Sequence, residues 1–274
     1  MFSNTRFPVH EDDGYTYLDL FPSDGEPRQT LLFLHGMFGG LSNFDALAAH
    51  MRESDCRIVV PRIPLYSRSR ADLTIPQLAG WVLGFMDHLS LTAPMVLGNS
   101  MGGHIALELA RRCPGRAEAL VLTGSSGLME EEFGTTFPKR SNREYIRRQA
   151  SLTFYEDLVD ERMIDEIQEV VLDARKMVRL LSLARETRNY HMEKMLPDIP
   201  HRTLLVWGRQ DRITPPEVGE SFARLMPAAE LRWINRCGHA PMMERPAEFA
   251  RHLEDFLIQT VQTESTHEED YSHI

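Results

Sequence analysis

Short runs of consecutive apolar residues alternate with longer amphipathic segments along most of this chain. Unbroken apolar runs are typical of strands covered on both faces, whereas apolar positions that recur every three or four residues indicate helices. The runs predict strands at residues 30–34, 58–60, 95–97, 119–122 and 203–207, and a less buried one at 231–234. Helices are predicted at residues 75–89, 103–112, 216–226 and 246–258. The alternation predicts an α/β fold, with a mostly parallel central sheet flanked by helices.

Residues 127–197 interrupt this alternation, because they contain no apolar run typical of a strand. Helical periodicity dominates there, and one apolar stripe is predicted to hold Met163, Ile167, Val170, Val171, Ala174, Met177, Val178 and Leu181. The segment follows the carboxyl end of a predicted strand, where open α/β sheets bind ligands. We therefore predict a helical lid at 127–197, inserted into a core of residues 1–126 and 198–262, with a polar, frayed tail at 263–274. Ordinary crossover helices are the alternative, but the segment is too long for one crossover.

Composition and charge exclude several classes of protein. The chain has 274 residues and a formal net charge of −10, which argues against a nucleic-acid-binding surface. Its three cysteines form an odd set without metal-ligand spacing, which favours a reducing compartment over a disulfide framework. No secretory signal and no apolar stretch long enough for a membrane span are found. A cytoplasmic protein without a membrane span is expected, and the oligomeric state is left open.

The pentapeptide Gly98-Asn99-Ser100-Met101-Gly102 lies between a predicted strand and a strong predicted helix. A serine at such a strand-to-helix turn is held in a strained backbone conformation, so its hydroxyl projects into a cleft. The flanking glycines keep side chains out of the tight turn, and the amides at the start of the helix stabilise developing negative charge. Ser100 is therefore the candidate nucleophile, with a structural turn serine as the alternative.

A serine hydroxyl needs a base that takes its proton and a third group that orients the base. Asp211 follows the predicted strand at 203–207, and His239 ends the loop after the strand at 231–234. This chain order of serine, aspartate and histidine differs from the orders in trypsin-like and subtilisin-like proteases. The loop after the strand at 119–122 has no carboxylate, which favours Asp211, although aspartate is also common in turns for local reasons.

A glycine-rich turn, His35-Gly36-Met37-Phe38-Gly39-Gly40, follows the first strong strand. Its backbone can offer one N–H to a substrate oxyanion, and the residue after the nucleophile can offer another. Met37 and Met101 are the candidate donors. His35 and His104 are expected to be structural, and Cys237 to be a small buried residue. No residues have the spacing of a metal site or of a dinucleotide fingerprint, so neither a metal nor a cofactor is expected.

The chain resembles the α/β-hydrolase superfamily over nearly its whole length. The resemblance rests, in sequence order, on His35-Gly36, Gly98-Asn99-Ser100-Met101-Gly102-Gly103, Gly208-Arg209-Gln210-Asp211 and Gly238-His239-Ala240-Pro241. It implies that Ser100 is the nucleophile, His239 the general base and Asp211 the orienting acid, while Met37 and Met101 donate the oxyanion-hole N–H groups. A serine at this turn argues against haloalkane dehalogenases and epoxide hydrolases, which have aspartate there. The implied activity is a cofactor-independent serine hydrolase that cleaves an ester or similar carbonyl in a small-molecule substrate through an acyl-enzyme.

Two alternatives to an esterase remain open. Ser42-Asn43-Phe44 and Arg236-Cys237-Gly238-His239 are similar to motifs of the meta-cleavage-product hydrolases, which cleave carbon–carbon bonds. Those enzymes usually have tryptophan where this chain has Ala240, and a lid arginine for the substrate carboxylate. The arginines that could serve are Arg162, Arg175 and Arg179. The second alternative is a non-catalytic ligand-binding protein that keeps the fold and the closed pocket.

Overall fold

The computed structural model describes residues 5–22, 24–129 and 141–271, without the side chains of 259–271. Within these ranges the chain forms one eight-stranded sheet in the order β1-β2-β4-β3-β5-β6-β7-β8. The strands are β1 His10–Asp12, β2 Tyr15–Leu20, β3 Gln29–Leu34, β4 Cys56–Pro61, β5 Met95–Asn99, β6 Leu120–Thr123, β7 Thr203–Gly208 and β8 Ala229–Ile234. Neighbouring strands from β4 to β8 in this order pair in parallel. Strand β2 pairs antiparallel with both of its neighbours, β1 and β4. The predicted α/β class with a mostly parallel sheet is confirmed.

The six predicted strands correspond to β3–β8, and their observed ends differ from the predicted ones by at most two residues. The sequence analysis missed β1 and β2, which form a hairpin at the sheet edge. Asp13 and Gly14 form its turn, with φ angles of 46° and 78°. An Asp-Gly pair with positive φ at both residues is a strong signal for a two-residue hairpin. The signal was missed because β1 is wholly exposed and so carries no apolar pattern.

The described helices pack on both faces of the sheet or follow its strands. They are α1 Asp45–Met51, α2 Ile75–His88, α3 Met101–Arg112, α4 Arg143–Ser151, α5 Glu161–Leu172, α6 Ala174–Asn189, α7 Pro216–Leu225, α8 Pro241–Glu244 and α9 Pro246–Tyr271. Helices α1 and α8 were not predicted. The backbone of α9 extends into the tail expected to fray at 263–274, because no glycine or proline after Pro246 interrupts the helix. Residues 272–274 of that tail lie outside the described residues.

Alternate residues of the central strands belong to two separate cores. In β3, Leu31 and Phe33 pack with side chains of α1 and α9 on one face. Leu32 and Leu34 pack with α2, α3 and α7 on the other face. All four side chains are buried. Because successive side chains of a strand point to opposite faces, a strand covered on both sides needs an unbroken apolar run, which is the pattern in the sequence.

Helices α4, α5 and α6 lie between β6 and β7, in the segment predicted as a helical insertion. The single apolar stripe predicted there is divided between α5 and α6. The Asp173 side chain accepts hydrogen bonds from the N–H groups of Arg175 and Lys176, so it caps α6. Helix α6 therefore starts anew, and its apolar face does not continue the apolar face of α5. Met163, Ile167, Val170, Val171 and Met177 are buried as predicted, but Ala174 and Val178 are exposed and Leu181 is half-buried.

The turn after β3 is fixed by a buried histidine. His35 Nδ1 lies 2.8 Å from the Gly36 carbonyl oxygen, and the Ile63 N–H donates to His35 Nε2 over 3.0 Å. The ring is therefore neutral, with its proton on Nδ1, and it connects the turn to the chain after β4. Burial lowers the pKa of His35 to about 4, because a charged imidazole loses its hydration inside the protein. These bonds agree with the structural role expected for His35.

Helix α3 approaches the central strands closely. A Cβ built on Gly102 would lie 2.0 Å from the Leu34 carbonyl oxygen of β3. The helix can therefore reach this position only with glycine at residue 102, and no movement of a side chain relieves the overlap because the neighbouring atom belongs to the backbone.

Replacing Gly102 should accordingly destabilise the protein. We expect Gly102→Ala to lower the free energy of unfolding by at least ~2 kcal/mol in urea titrations, since strand and helix must separate. The matched control is Gly80→Ala in α2, where an added Cβ would meet nothing within 4 Å. That variant should gain roughly 0.5–1 kcal/mol from helix propensity. Equal stability of the two variants would contradict the close approach.

The state of His35 predicts how stability depends on pH. The His35 imidazole takes up a second proton less readily in the folded state than in the unfolded state, where its pKa is near 6.5. The stabilisation by neutral His35 is therefore fully present above about pH 6.5. It should fall by about 3 kcal/mol as the pH decreases to about 4. NMR titration of the ring is the direct measurement, and an imidazole that becomes charged at its ordinary pKa in the folded protein would contradict the assignment.

Candidate active site

Ser100 lies between the end of β5 and the start of α3, in the strained conformation that its sequence context predicts. Its φ and ψ angles are 56° and −122°, which non-glycine residues rarely adopt. The backbone holds it there on both sides, since the Ser100 N–H donates to the Thr123 carbonyl over 3.1 Å and the Ser100 carbonyl accepts from the Gly103 N–H over 2.9 Å. Such strain costs about 1–3 kcal/mol and persists only where the surrounding structure imposes it.

The Asp211 and His239 side chains form a buried hydrogen-bonded pair. His239 Nδ1 lies 2.8 Å from Asp211 Oδ2, and their side chains are 8% and 1% exposed. Asp211 Oδ1 accepts from the backbone N–H groups of Ile213, over 2.8 Å, and Thr214, over 3.0 Å. Because a carboxylate only accepts, the proton of a neutral imidazole lies on Nδ1 and Nε2 is unprotonated. The arrangement is that of an oriented general base.

The backbone of the loop after β6 also lies close to the imidazole. Gly124 has a φ of 52°, and a Cβ built on it would lie 2.7 Å from His239 Nδ1. A side chain at this position would displace the ring. The described loop contains no carboxylate, so Asp211 is the acid that the structure brings to this histidine.

The glycine-rich turn after β3 lies directly against Ser100. A Cβ built on Gly36 would be 3.6 Å from Ser100 Oγ. The turn is closed by a hydrogen bond from the Gly39 N–H to the Gly36 carbonyl over 3.0 Å, and the Tyr66 hydroxyl contacts the Met37 carbonyl at 3.3 Å. Met101 is the first residue of α3, where amides lack an acceptor within the helix. Both candidate oxyanion donors thus belong to segments that flank Ser100.

Ser100 and His239 line one cavity of about 130 Å³. The turn at residues 36–39 forms part of its wall, and α4, α5 and α6 supply much of the remainder. The side chains from these helices include Ile146, Ala150, Met163, Ile167 and Ala184. Among the described lining residues there is no aspartate, glutamate, lysine or arginine. A carboxylate buried in this cavity would have no cationic partner there, which is costly.

The three arginines considered for a substrate carboxylate do not line the cavity. Arg162 pairs with Glu166 at 3.4 Å, Arg175 is exposed, and Arg179 donates to the Arg68 carbonyl over 2.8 Å. Ala240 does line the cavity. The side chain after His239 therefore leaves space where the carbon–carbon hydrolases usually have tryptophan.

Asn99 and Thr214 also hold the pair in place, and the sequence analysis assigned neither a role. Asn99 Nδ2 donates to the carbonyls of Thr123 and His239, over 3.0 Å each, so it connects the sheet to the loop of the base. Thr214 Oγ1 donates to Asp211 Oδ2 over 2.8 Å. A threonine three residues after an aspartate was a usable signal, since such pairs often bond locally.

Glu244 connects the loop of the base to the insertion. Its carboxylate accepts from the N–H groups of Gly238 and Ala240, over 3.0 and 3.2 Å, and from the Tyr155 N–H over 2.7 Å. The His239 N–H donates to the carbonyl of Thr153, in the loop between α4 and α5, over 2.8 Å. Sequence alone gives no signal for these bonds, because they depend on the paths of two loops.

The other two residues singled out in the sequence are buried. His104 is fully buried and stacks on Tyr190, with ring centroids 5.6 Å apart, and burial lowers its pKa to about 3. Cys237 is a buried free thiol whose pKa is raised by burial. Their expected structural roles agree with this packing. Throughout the described chain, no three His, Cys, Asp or Glu residues converge as metal ligands. Among the described helices, none is both long and apolar enough to cross a membrane.

Comparison with known proteins identifies a family. The model of the alpha/beta hydrolase family matches residues 31–252. The uncharacterized hydrolase YugF of Bacillus subtilis is 28% identical over 92% of this chain and 97% of its own. A 2-hydroxy-6-oxononadienedioate/2-hydroxy-6-oxononatrienedioate hydrolase of Paraburkholderia phymatum is 30% identical over 90% and 93%.

Solved structures agree with these sequence relatives. MGS-MChE2, an alpha/beta hydrolase enzyme from the metagenome of lagoon sediments of Mar Chica, Morocco, is 34% identical, with a TM-score of 0.75. The match covers 92% of this chain and 98% of that one. The chain resembles these hydrolases in sequence along most of its length and in the course of its backbone. It therefore belongs to the alpha/beta hydrolase family, as its motifs indicated.

Proposed function

We propose that this protein is a serine hydrolase that cleaves an ester or similar carbonyl substrate through an acyl-enzyme. The observation that carries the proposal is the buried Asp211–His239 hydrogen bond at the cavity that Ser100 also lines. An oriented base and a serine in a strained strand-to-helix turn have little structural reason to share one cavity. Together they are the parts that nucleophilic catalysis requires.

The mechanism follows from the unprotonated state of His239 Nε2. This nitrogen takes the proton of Ser100 as Oγ attacks the substrate carbonyl, and Asp211 stabilises the imidazolium that forms. The carbonyl electrons move onto oxygen, which the N–H groups of Met37 and Met101 stabilise. As the carbonyl re-forms, the bond between its carbon and the leaving group breaks, His239 gives its proton to the leaving group, and the acyl group remains bound to Ser100. A water molecule, activated in the same way, releases the acid. Removing one oxyanion donor costs roughly 10²- to 10³-fold in rate in well-studied hydrolases.

The uncharged lining of the cavity favours a neutral, apolar acyl group. The relative from Paraburkholderia phymatum is named for a dicarboxylate substrate. Such a substrate would bring a carboxylate into the cavity, where no lysine or arginine is among the described lining residues. The carbon–carbon hydrolase activity in the names of several relatives is nevertheless the second candidate, because the chain is similar to them over nine-tenths of its length.

The segment with α4, α5 and α6 is the lid in this proposal, and it determines which acyl groups fit. Its apolar side chains form part of the cavity wall, and its α4–α5 loop contacts the loop of the base. A lid of this kind excludes water and completes the pocket, so it changes substrate preference more than reactivity.

Substitution of the three proposed residues tests the mechanism. Ser100→Ala and His239→Ala should each lower turnover of p-nitrophenyl butyrate by several orders of magnitude, because the residues act as a unit. Asp211→Asn should keep the fold and lower the rate by roughly 10³- to 10⁴-fold, since the amide favours the wrong imidazole tautomer. Ser100→Ala should also abolish labelling by a fluorophosphonate probe. Ser126→Ala is the matched control, as it removes another buried serine hydroxyl close in sequence.

Each failure has a distinct meaning. Near-normal turnover in Asp211→Asn would exclude Asp211 as the acid. Wild-type protein that neither reacts with the fluorophosphonate nor cleaves any ester or thioester would favour a binding protein. A vinylogous diketone acid that is cleaved faster than every ester would favour the carbon–carbon hydrolase.

A second prediction concerns the acyl pocket. Ala184→Phe, in α6, should reduce the available volume and lower kcat/KM for p-nitrophenyl octanoate about tenfold or more, because displaced methylenes lose their contacts. Cleavage of p-nitrophenyl acetate should change less than about threefold, since the reacting atoms keep their positions. Val178→Phe is the control on the same helix, as Val178 is 47% exposed and lies outside the cavity. Equal losses for both esters, or no loss for octanoate, would exclude α6 as a wall of the acyl site.

A further inference from the structure

The acid of the pair has two hydrogen-bond donors on the same oxygen. Asp211 Oδ2 lies 2.8 Å from His239 Nδ1 and 2.8 Å from Thr214 Oγ1. The hydroxyl and the imidazole nitrogen are themselves 3.3 Å apart, so the three atoms form a compact triangle. Each of the two donors is closer to the carboxylate oxygen than to the other donor. The Thr214 hydroxyl therefore directs its proton to Asp211, beside the proton of His239.

Thr214 cannot easily turn away from this position. Its own N–H donates to Asp211 Oδ1 over 3.0 Å, and its carbonyl accepts from Trp207 Nε1 over 2.9 Å. Thr214 and Trp207 are both fully buried, and Trp207 belongs to β7, the strand that precedes Asp211. A β-branched side chain has few rotamers, and the proline that follows limits the backbone of Thr214. The hydroxyl is thus fixed relative to the sheet.

A hydrogen-bond donor on the carboxylate weakens the electrostatic stabilisation that the carboxylate gives to the imidazolium. The Thr214 proton stabilises part of the negative charge on Oδ2, and less of this charge is then available to stabilise a positive His239. Without the hydroxyl, His239 would hold a proton at higher pH. At neutral pH a smaller fraction of the enzyme would then have the unprotonated Nε2 that a base requires.

We propose that Thr214 is a positioning residue that fixes the Asp211 carboxylate and sets the pH range in which His239 acts as a base. The inference rests on the proposed function, since it assumes that His239 is the base. Thr214 is not among the residues that line the cavity, so it acts through Asp211 and not through the substrate.

The contacts of Glu244, Thr153 and Gly124 around His239 all involve backbone groups. From α8, Glu244 is occupied by backbone N–H groups on both sides of the histidine. From the insertion, the Thr153 carbonyl accepts from the backbone N–H, and from β6 the loop offers the backbone of Gly124. Asp211 contacts the ring as a charged partner, and the Thr214 hydroxyl contacts that carboxylate oxygen.

The test compares Thr214→Val, which keeps the branched shape without the hydroxyl, with Thr214→Ser, which keeps the hydroxyl without the methyl group. We expect the acid limb of the pH profile of kcat/KM for p-nitrophenyl butyrate to move up by roughly half a pH unit to one unit in the valine variant. The serine variant should follow the wild-type profile. KM should change less than about twofold in both, because Thr214 does not contact substrate.

NMR titration of the His239 ring supplies a readout independent of turnover, with its resonance assigned by comparison with His239→Ala. The pKa of His239 should be higher in Thr214→Val than in wild type, even if Ser100 is not the nucleophile. An unchanged pKa in the valine variant, or an equal rise in the serine variant, would overturn the proposal. If Thr214→Val does not fold, Thr214→Ala serves in the same comparison. Activity that survives in Ser100→Ala would instead overturn the proposed function alone.

Discussion

The common direction of strands β3 to β8 is the constraint on which the site depends. Parallel pairing places the carboxyl ends of β3, β5, β7 and β8 at one edge of the sheet. The segments that contain Met37, Ser100, Asp211 and His239 follow these four strands, so residues far apart in the chain meet at one edge. The close approach of α3 to β3 then fixes the turn at Ser100. Little freedom remains for that side chain.

Hydrogen bonds to backbone groups hold the acid and the base more than contacts between side chains do. Two N–H groups bind one oxygen of Asp211, and Asn99 and Glu244 bind backbone groups of the loop that contains His239. The His239 N–H in turn binds the carbonyl of Thr153 in the insertion. The position of the insertion and that of the imidazole are therefore coupled. A movement that widened the cavity at the α4–α5 loop would also break bonds beside the base.

Most of the core could be predicted because it is local in the sequence. Leu31 to Leu34 must all be apolar to fill two faces, and that requirement is visible without any structure. The stripe in the insertion failed at Ala174 and Val178 because Asp173 starts a new helix, and the missed hairpin of β1 and β2 lies at the edge, where burial imposes no pattern. The motifs indicated Ser100, Asp211 and His239 as a set. Their common cavity and the Asp211–His239 distance came from the structure.

The sequence by itself determined the α/β class, the strained turn around Ser100 and the family, because each depends on residues close together in the chain. The tertiary structure decided how the site is supported and what it can accept. Thr214 bonds the oxygen that His239 uses, Glu244 joins two loops, and the arginines of the insertion lie outside the cavity. These features depend on where separate loops meet and on which way helix faces turn. They cannot be predicted from a local sequence pattern, since the same residues are compatible with other loop paths.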